Sequence, residues 1–143
     1  MYKGEPIKGI DFYNLLFKSH EFLIELGKVT LASQKLEAEL FILLKRGGVQ
    51  IVQEKPTLGT LIGLGTKNQL FTQSLSEALR EICSKRNYLT HNVYALFSEQ
   101  IDETIFERDN LLDTDVTLYI ERASQLHWDL MGFAEIISDM GKT

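Results

Sequence analysis

Arg86-Asn87-Tyr88-Leu89-Thr90-His91 places a permanent cation, a side-chain amide, two hydroxyls and an imidazole within six consecutive residues. No other stretch of the chain gathers reactive groups so densely. Arginine presents a planar set of donors that fits phosphate oxygens and keeps its charge in any protein. Histidine, with a reference pKa near ~6.5, takes up or delivers a proton near neutrality. Arg80 and Lys85 lie just upstream and, with Arg86, form a local basic cluster suited to phosphate. Asn87, Thr90 and Tyr94 are the candidate supporting polar groups.

These residues fall within a predicted helix from about Ser74 to Phe97. Ser74-Leu75-Ser76-Glu77 has the form of a capping box, and Leu75, Ala78, Leu79 and Ile82 mark one apolar stripe. At about 100° per residue, Asn87 and His91 share a face, as do Arg86 and Thr90. Arg86 and His91 are about 140° apart on an α-helix. They converge only through the long arginine side chain, a local kink or a second subunit. Asn87 is placed to hydrogen-bond one imidazole nitrogen and fix the tautomer of His91. On residue types alone a blander reading weighs more, with Arg86 in a surface salt bridge and His91 a satisfied, half-buried histidine. The chain supplies its own warning, because Arg122 and His127 repeat the spacing without the asparagine. His127 reads as a helix-surface or interface residue.

Competing chemistries are poorly supplied. The three histidines, His20, His91 and His127, show no metal-ligand spacing, and Cys83 is the single cysteine. No metal site and no cofactor are expected, and Cys83 reads as a small core residue. Gly63-Leu64-Gly65-Thr66-Lys67 departs from the phosphate-loop pattern and follows no strand. Asp113 and Asp115 suit a helix start electrostatically.

Length and composition set the frame. The chain has 143 residues, 44% hydrophobic and 24% charged, which fits a single globular domain over 1–143. No apolar run is long enough to span a bilayer, the first residues lack a secretory pattern, and a lone cysteine fits a reducing, cytoplasmic setting. A net charge of −5 argues against a broad nucleic-acid-coating surface, although screening leaves room for a local basic site.

Read in order, residues 1–10 form a loosely held polar lead. Asp11 caps a first long helix with apolar positions Phe12, Leu15, Leu16, Leu23, Leu26, Leu36, Leu40, Leu43 and Leu44. It ends at Lys45-Arg46-Gly47-Gly48. Unbroken, this helix runs about 35 residues and roughly 50 Å, with Gly27 as the candidate break. Thr57 caps a short helix stopped by Gly65, and Asp102 starts another short one through Phe106. Asp113 or Thr114 caps a last helix with the stripe Val116, Tyr119, Ile120, Ala123, Leu126, Leu130, Phe133, Ile137 and Met140. Only Val49–Val52 offers a short strand. The prediction is an all-α bundle of four to five helices, two long amphipathic ones packing against the helix that carries Arg86 and His91. An apolar face left over would favour a homodimer.

Arg86-Asn87-x-Leu89-x-His91 on a helix of a small all-α chain resembles the signature of HEPN domains (higher eukaryotes and prokaryotes nucleotide-binding). Pro56-Thr57-Leu58-Gly59-x-Leu61-Ile62, Asn92-Val93-Tyr94, and Leu26-Gly27 followed by Leu36-Glu37 and Leu40 look like small bacterial HEPN-like proteins. The resemblance touches residues 20–95. It implies a dimerising helical bundle with two motif helices at a composite cleft, Arg86 and His91 as catalytic positions and Asn87 as support. Many catalytic members are metal-independent endoribonucleases, some of them toxins or defence components with a neutralising partner. Others bind nucleotide or RNA, or regulate a partner protein, without cutting, and the net acidity here favours that alternative. One toxin subgroup has tyrosine two places after the histidine. This chain has Val93 there and Tyr94 next, so tyrosine-linked regulation is not implied.

Overall fold

The computed structural model describes residues 2–100 and 106–142, and its architecture is an all-α helical bundle. Its elements are α1 (Ile10–Lys18), α2 (His20–Arg46), α3 (Leu58–Lys67), α4 (Gln73–Asn87), α5 (Val93–Phe97) and α6 (Val116–Met140). A π-helical turn, Tyr88–Asn92, joins α4 to α5 in one continuous rod, and a 3₁₀ turn, Asp113–Asp115, leads into α6. No strand occurs among the described residues, and Val49–Val52 is irregular. No helix among them is long and apolar enough to cross a membrane. The short helix expected from Asp102 falls mainly on residues outside those described.

The two long helices, α2 and α6, pack chiefly on each other rather than on the helix carrying the motif. They run in the same direction. Phe22 meets Tyr119 near their starts, and the Arg46 guanidinium donates to the Gly141 carbonyl at their ends. Val29, Leu36, Leu40 and Leu44 of α2 are buried together with Ala123, Leu126, Leu130 and Ile137 of α6. Their spacing of three, four and seven residues is the reason a single face of each helix can bury them. Tyr119 is the hub of this core. Its ring lies 5.3 Å from Phe12, 6.0 Å from Phe97 and 6.1 Å from Phe106, and its hydroxyl donates to the Glu107 carbonyl at 2.6 Å. Burial pushes the Tyr119 phenol far above its ordinary range, so it stays a donor.

The break in the first helical stretch falls at Ser19, not at Gly27. Ser19 adopts an extended backbone, and its hydroxyl accepts from the Phe22 N–H at 3.1 Å, capping α2. Gly27 continues the helix with open space around it. Asp11 sits in the first turn of α1 rather than capping it, since the N-cap is Gly9 at φ 61°. In α4 the cap is Thr72, whose hydroxyl accepts from Leu75, and the Ser74–Glu77 box is already inside the helix. The polar lead is also held. Ile7 donates to the Leu111 carbonyl and Asp113 to the Glu5 carbonyl, while the Asp113 carboxylate accepts from the Tyr2 hydroxyl. These backbone exchanges draw residues 5–7 against residues 111–113.

Thr57 caps α3 as expected, its hydroxyl accepting from the Thr60 N–H at 3.1 Å. The helix does not stop at Gly65 but runs through it to Lys67. Gly65 serves close packing instead, because a Cβ there would lie 2.2 Å from the Phe71 ring. Gly63, two residues earlier, is exposed with open space around it. The two positions therefore predict opposite outcomes in chemical denaturation. Gly63→Ala should stabilise by about 0.5–1 kcal/mol through the helix propensity of alanine. Gly65→Ala should destabilise by about 1–3 kcal/mol as Phe71 is displaced. Equal effects at both positions would contradict this packing.

Candidate functional site

An α-helix gains one turn every 3.6 residues, so side chains five apart point to different sides. A π-turn closes through i→i+5 hydrogen bonds and takes up an extra residue, which returns positions five apart to nearly one side. Here the π-turn Tyr88–Asn92 falls between Arg86 and His91. Both side chains line one open cleft of about 600 Å³. The local distortion is thus the second of the routes by which the pair could converge. The repeat of this spacing on α6 acts as a control. That helix is undistorted, and Arg122 ion-pairs Glu107 at 2.6 Å while His127 turns to Glu25 of α2 at 3.6 Å. Arg122 holds the Glu107 carboxyl below the usual carboxylate range. Of the two positions expected for His127, helix surface or interface, it takes a largely covered one, because α2 packs over it.

The cleft is built from three elements. The rod of α4 and the π-turn supplies Arg86, Asn87, His91 and Asn92, α2 supplies Glu37, and the segment entering α3 supplies Lys55, Pro56, Thr57 and Gly59. The first turn of α3 therefore forms one wall, and a helix start carries orphan N–H donors and a partial positive charge. The Arg86 side chain is only 14% exposed, its Nη1 lies 3.9 Å from Glu37 Oε1, and its Nε is buried without a hydrogen-bond partner. His91 is exposed and borders the cleft on one side. On the other it borders an apolar groove of about 180 Å³ flanked by Phe17, Leu23 and Tyr94.

The remaining candidates sort differently. Asn87 directs its Nδ2 to Cys83 Sγ at 3.7 Å, not to the imidazole of His91, so it braces α4 internally. The Thr90 hydroxyl donates to the Arg86 carbonyl at 2.8 Å, one helical turn back. Tyr94 packs edge-on against Tyr13 at 5.0 Å and belongs to the apolar groove. Lys85 lies outside the cleft. Consecutive helix residues are about 100° apart, and Lys85 turns into a separate hollow with Arg122 and Asp129, paired with Glu81 at 3.3 Å. Arg80 is exposed and does not line the cleft. The other cation lining the cleft with Arg86 is instead Lys55, which sits in a connection and carries no motif of its own. Glu37 and Asn92, both among the residues that carry the resemblance, also line the cleft. Cys83 is buried. Among the described residues no group of three or more His, Cys, Asp or Glu side chains stands close enough to hold a metal ion.

The fold class is thus an all-α bundle, and the candidate site is an open, mixed-charge cleft lined in part by Arg86 and His91. Comparison with protein-family models, curated proteins and solved structures finds no match to this chain.

Proposed function

We propose that this protein is a HEPN-like, metal-independent endoribonuclease that works as a homodimer, in a toxin or defence setting. The observation that carries the reading is the π-turn, which turns a five-residue spacing into a pair of side chains on one open cleft. In this reading His91 takes the proton from a ribose 2′-hydroxyl as the 2′-oxygen attacks phosphorus. Arg86 donates to the oxygens of the crowded phosphorane. The P–O5′ bond breaks, His91 of the second copy protonates the departing oxygen, and the products carry 2′,3′-cyclic phosphate and 5′-hydroxyl ends. DNA, without the 2′-hydroxyl, is spared.

The dimer has its own support. Phe17, Ile24, Leu31 and Tyr94 are 65%, 58%, 67% and 53% exposed, and Phe17 and Tyr94 flank the groove beside His91. Exposed apolar side chains flanking a groove favour a partner surface. A copy seated there would bring a second imidazole toward the first. A second reading is a non-catalytic module that binds RNA or nucleotide or regulates a partner protein, and the net charge of −5 with Glu37 inside the cleft favours it. End-labelled RNA and the matching DNA, each incubated with the wild type in EDTA, separate the two. The catalytic reading expects cleavage of RNA alone. Retention of intact RNA on the protein selects the second reading, and RNA left uncut in EDTA, or cleavage of the DNA as well, sinks the first.

A further inference from the structure

The charge inventory of the cleft restricts which phosphate it accepts. Its ionised side chains are Lys55, Arg86 and Glu37, two cations and one carboxylate, so the formal charge is +1 with His91 neutral. The Arg86–Glu37 separation of 3.9 Å lies beyond hydrogen-bond range, and Arg86 Nε is buried without an acceptor. Glu37 therefore balances the charge of the guanidinium without consuming its donors. Nε itself is fully covered, so ligand oxygens meet the guanidinium through the part of the side chain that stays exposed. A volume of about 600 Å³ is that of a small-ligand site. A singly charged phosphate brings the filled cleft to zero. A doubly charged one leaves a surplus negative charge in a partly desolvated space beside Glu37, which is penalised.

We infer that Glu37 is a specificity-determining residue that sets the cleft for the singly charged phosphodiester within a strand. It disfavours the doubly charged phosphomonoester of a free nucleotide or a strand end. This rests on the reading that Arg86 receives a substrate phosphate, and it names the class of phosphate.

The test uses thymidine 5′-phosphate and its monomethyl ester, which share a nucleoside and differ by one charge at pH 8. Neither has a 2′-hydroxyl, so neither is cleaved and the wild type can be titrated directly by calorimetry or amide chemical shifts. The wild type should bind the ester more tightly. Glu37→Gln should shift the ratio of affinities toward the monoester by on the order of tenfold, the size of one unit-charge interaction at such range. Arg86→Ala should lose both ligands. If Glu37→Gln moves both affinities equally, or the wild type already prefers the monoester, charge selection by Glu37 is overturned while phosphate binding stands. If neither ligand binds the wild type or the variant, the phosphate reading of the cleft fails and this inference fails with it.

Discussion

His91→Ala should lower the single-turnover rate of RNA cleavage by about 10²–10⁴-fold, the span seen when a positioned acid–base group is removed. His91 is exposed, so its truncation opens no core cavity and the folded fraction should not change. Loss of rate without loss of melting temperature is the signature to look for. Arg86→Lys should cost about 10²–10³-fold, because lysine keeps the charge but loses the fixed fork of donors that reaches two phosphate oxygens at once. Asn87→Ala should cost far less, since its amide is directed to Cys83 and not to the imidazole. If Asn87→Ala were as damaging as His91→Ala, the division of roles within the cleft would be wrong. If Arg86→Lys were silent, Arg86 would be acting as a point charge only.

Tyr119→Ala should be the most destabilising single change outside the site, at about 3–5 kcal/mol. The ring is fully buried and packs against Phe12 of α1, Phe22 of α2, Phe97 of α5 and Phe106. Four separate segments therefore lose contact at once, and the surrounding rings cannot all collapse into the gap. For a chain of this size the melting temperature should fall by roughly 10 °C or more. Tyr119→Phe keeps the ring and removes only the hydroxyl that serves the Glu107 carbonyl, so it should cost about 1–3 kcal/mol for the acceptor left unpaired. A thermal melt of Tyr119→Ala within 2–3 °C of the wild type, the shift that about 1 kcal/mol would give, would contradict the hub role.

How far the sequence could be read depends on the range of the forces involved. The stripe of α6 and the cap at Thr57 were legible because each rests on residues within a turn or two. Gly27 is the candidate break in sequence because helix propensity marks glycine as weak. Ser19 decides it instead, by offering its hydroxyl to Phe22. Gly65 reads as a stop in sequence because its packing partner, Phe71, lies beyond the helix end. For the site, the pairing of Arg86 with His91 was legible, but its mechanism of convergence was not. Nothing in the residue types of Tyr88–Asn92 announces a widened turn. The basic cluster misled because neighbours in sequence are not neighbours on a helix, which sends Lys85 to another hollow. Glu37 and Lys55 come from distant parts of the chain, and only the folded bundle brings them to Arg86.

The central claim is that one cleft, with Arg86 and His91 on the same rod, cuts RNA through its own 2′-hydroxyl. The most direct measurement is mass spectrometry of the ends left on a defined oligoribonucleotide cut by the wild type in EDTA. The account predicts 2′,3′-cyclic phosphate paired with 5′-hydroxyl, and no product when the ribose at the cut site is replaced by deoxyribose. Ends of the 3′-hydroxyl and 5′-phosphate type, or cleavage that survives the deoxy substitution, would contradict it.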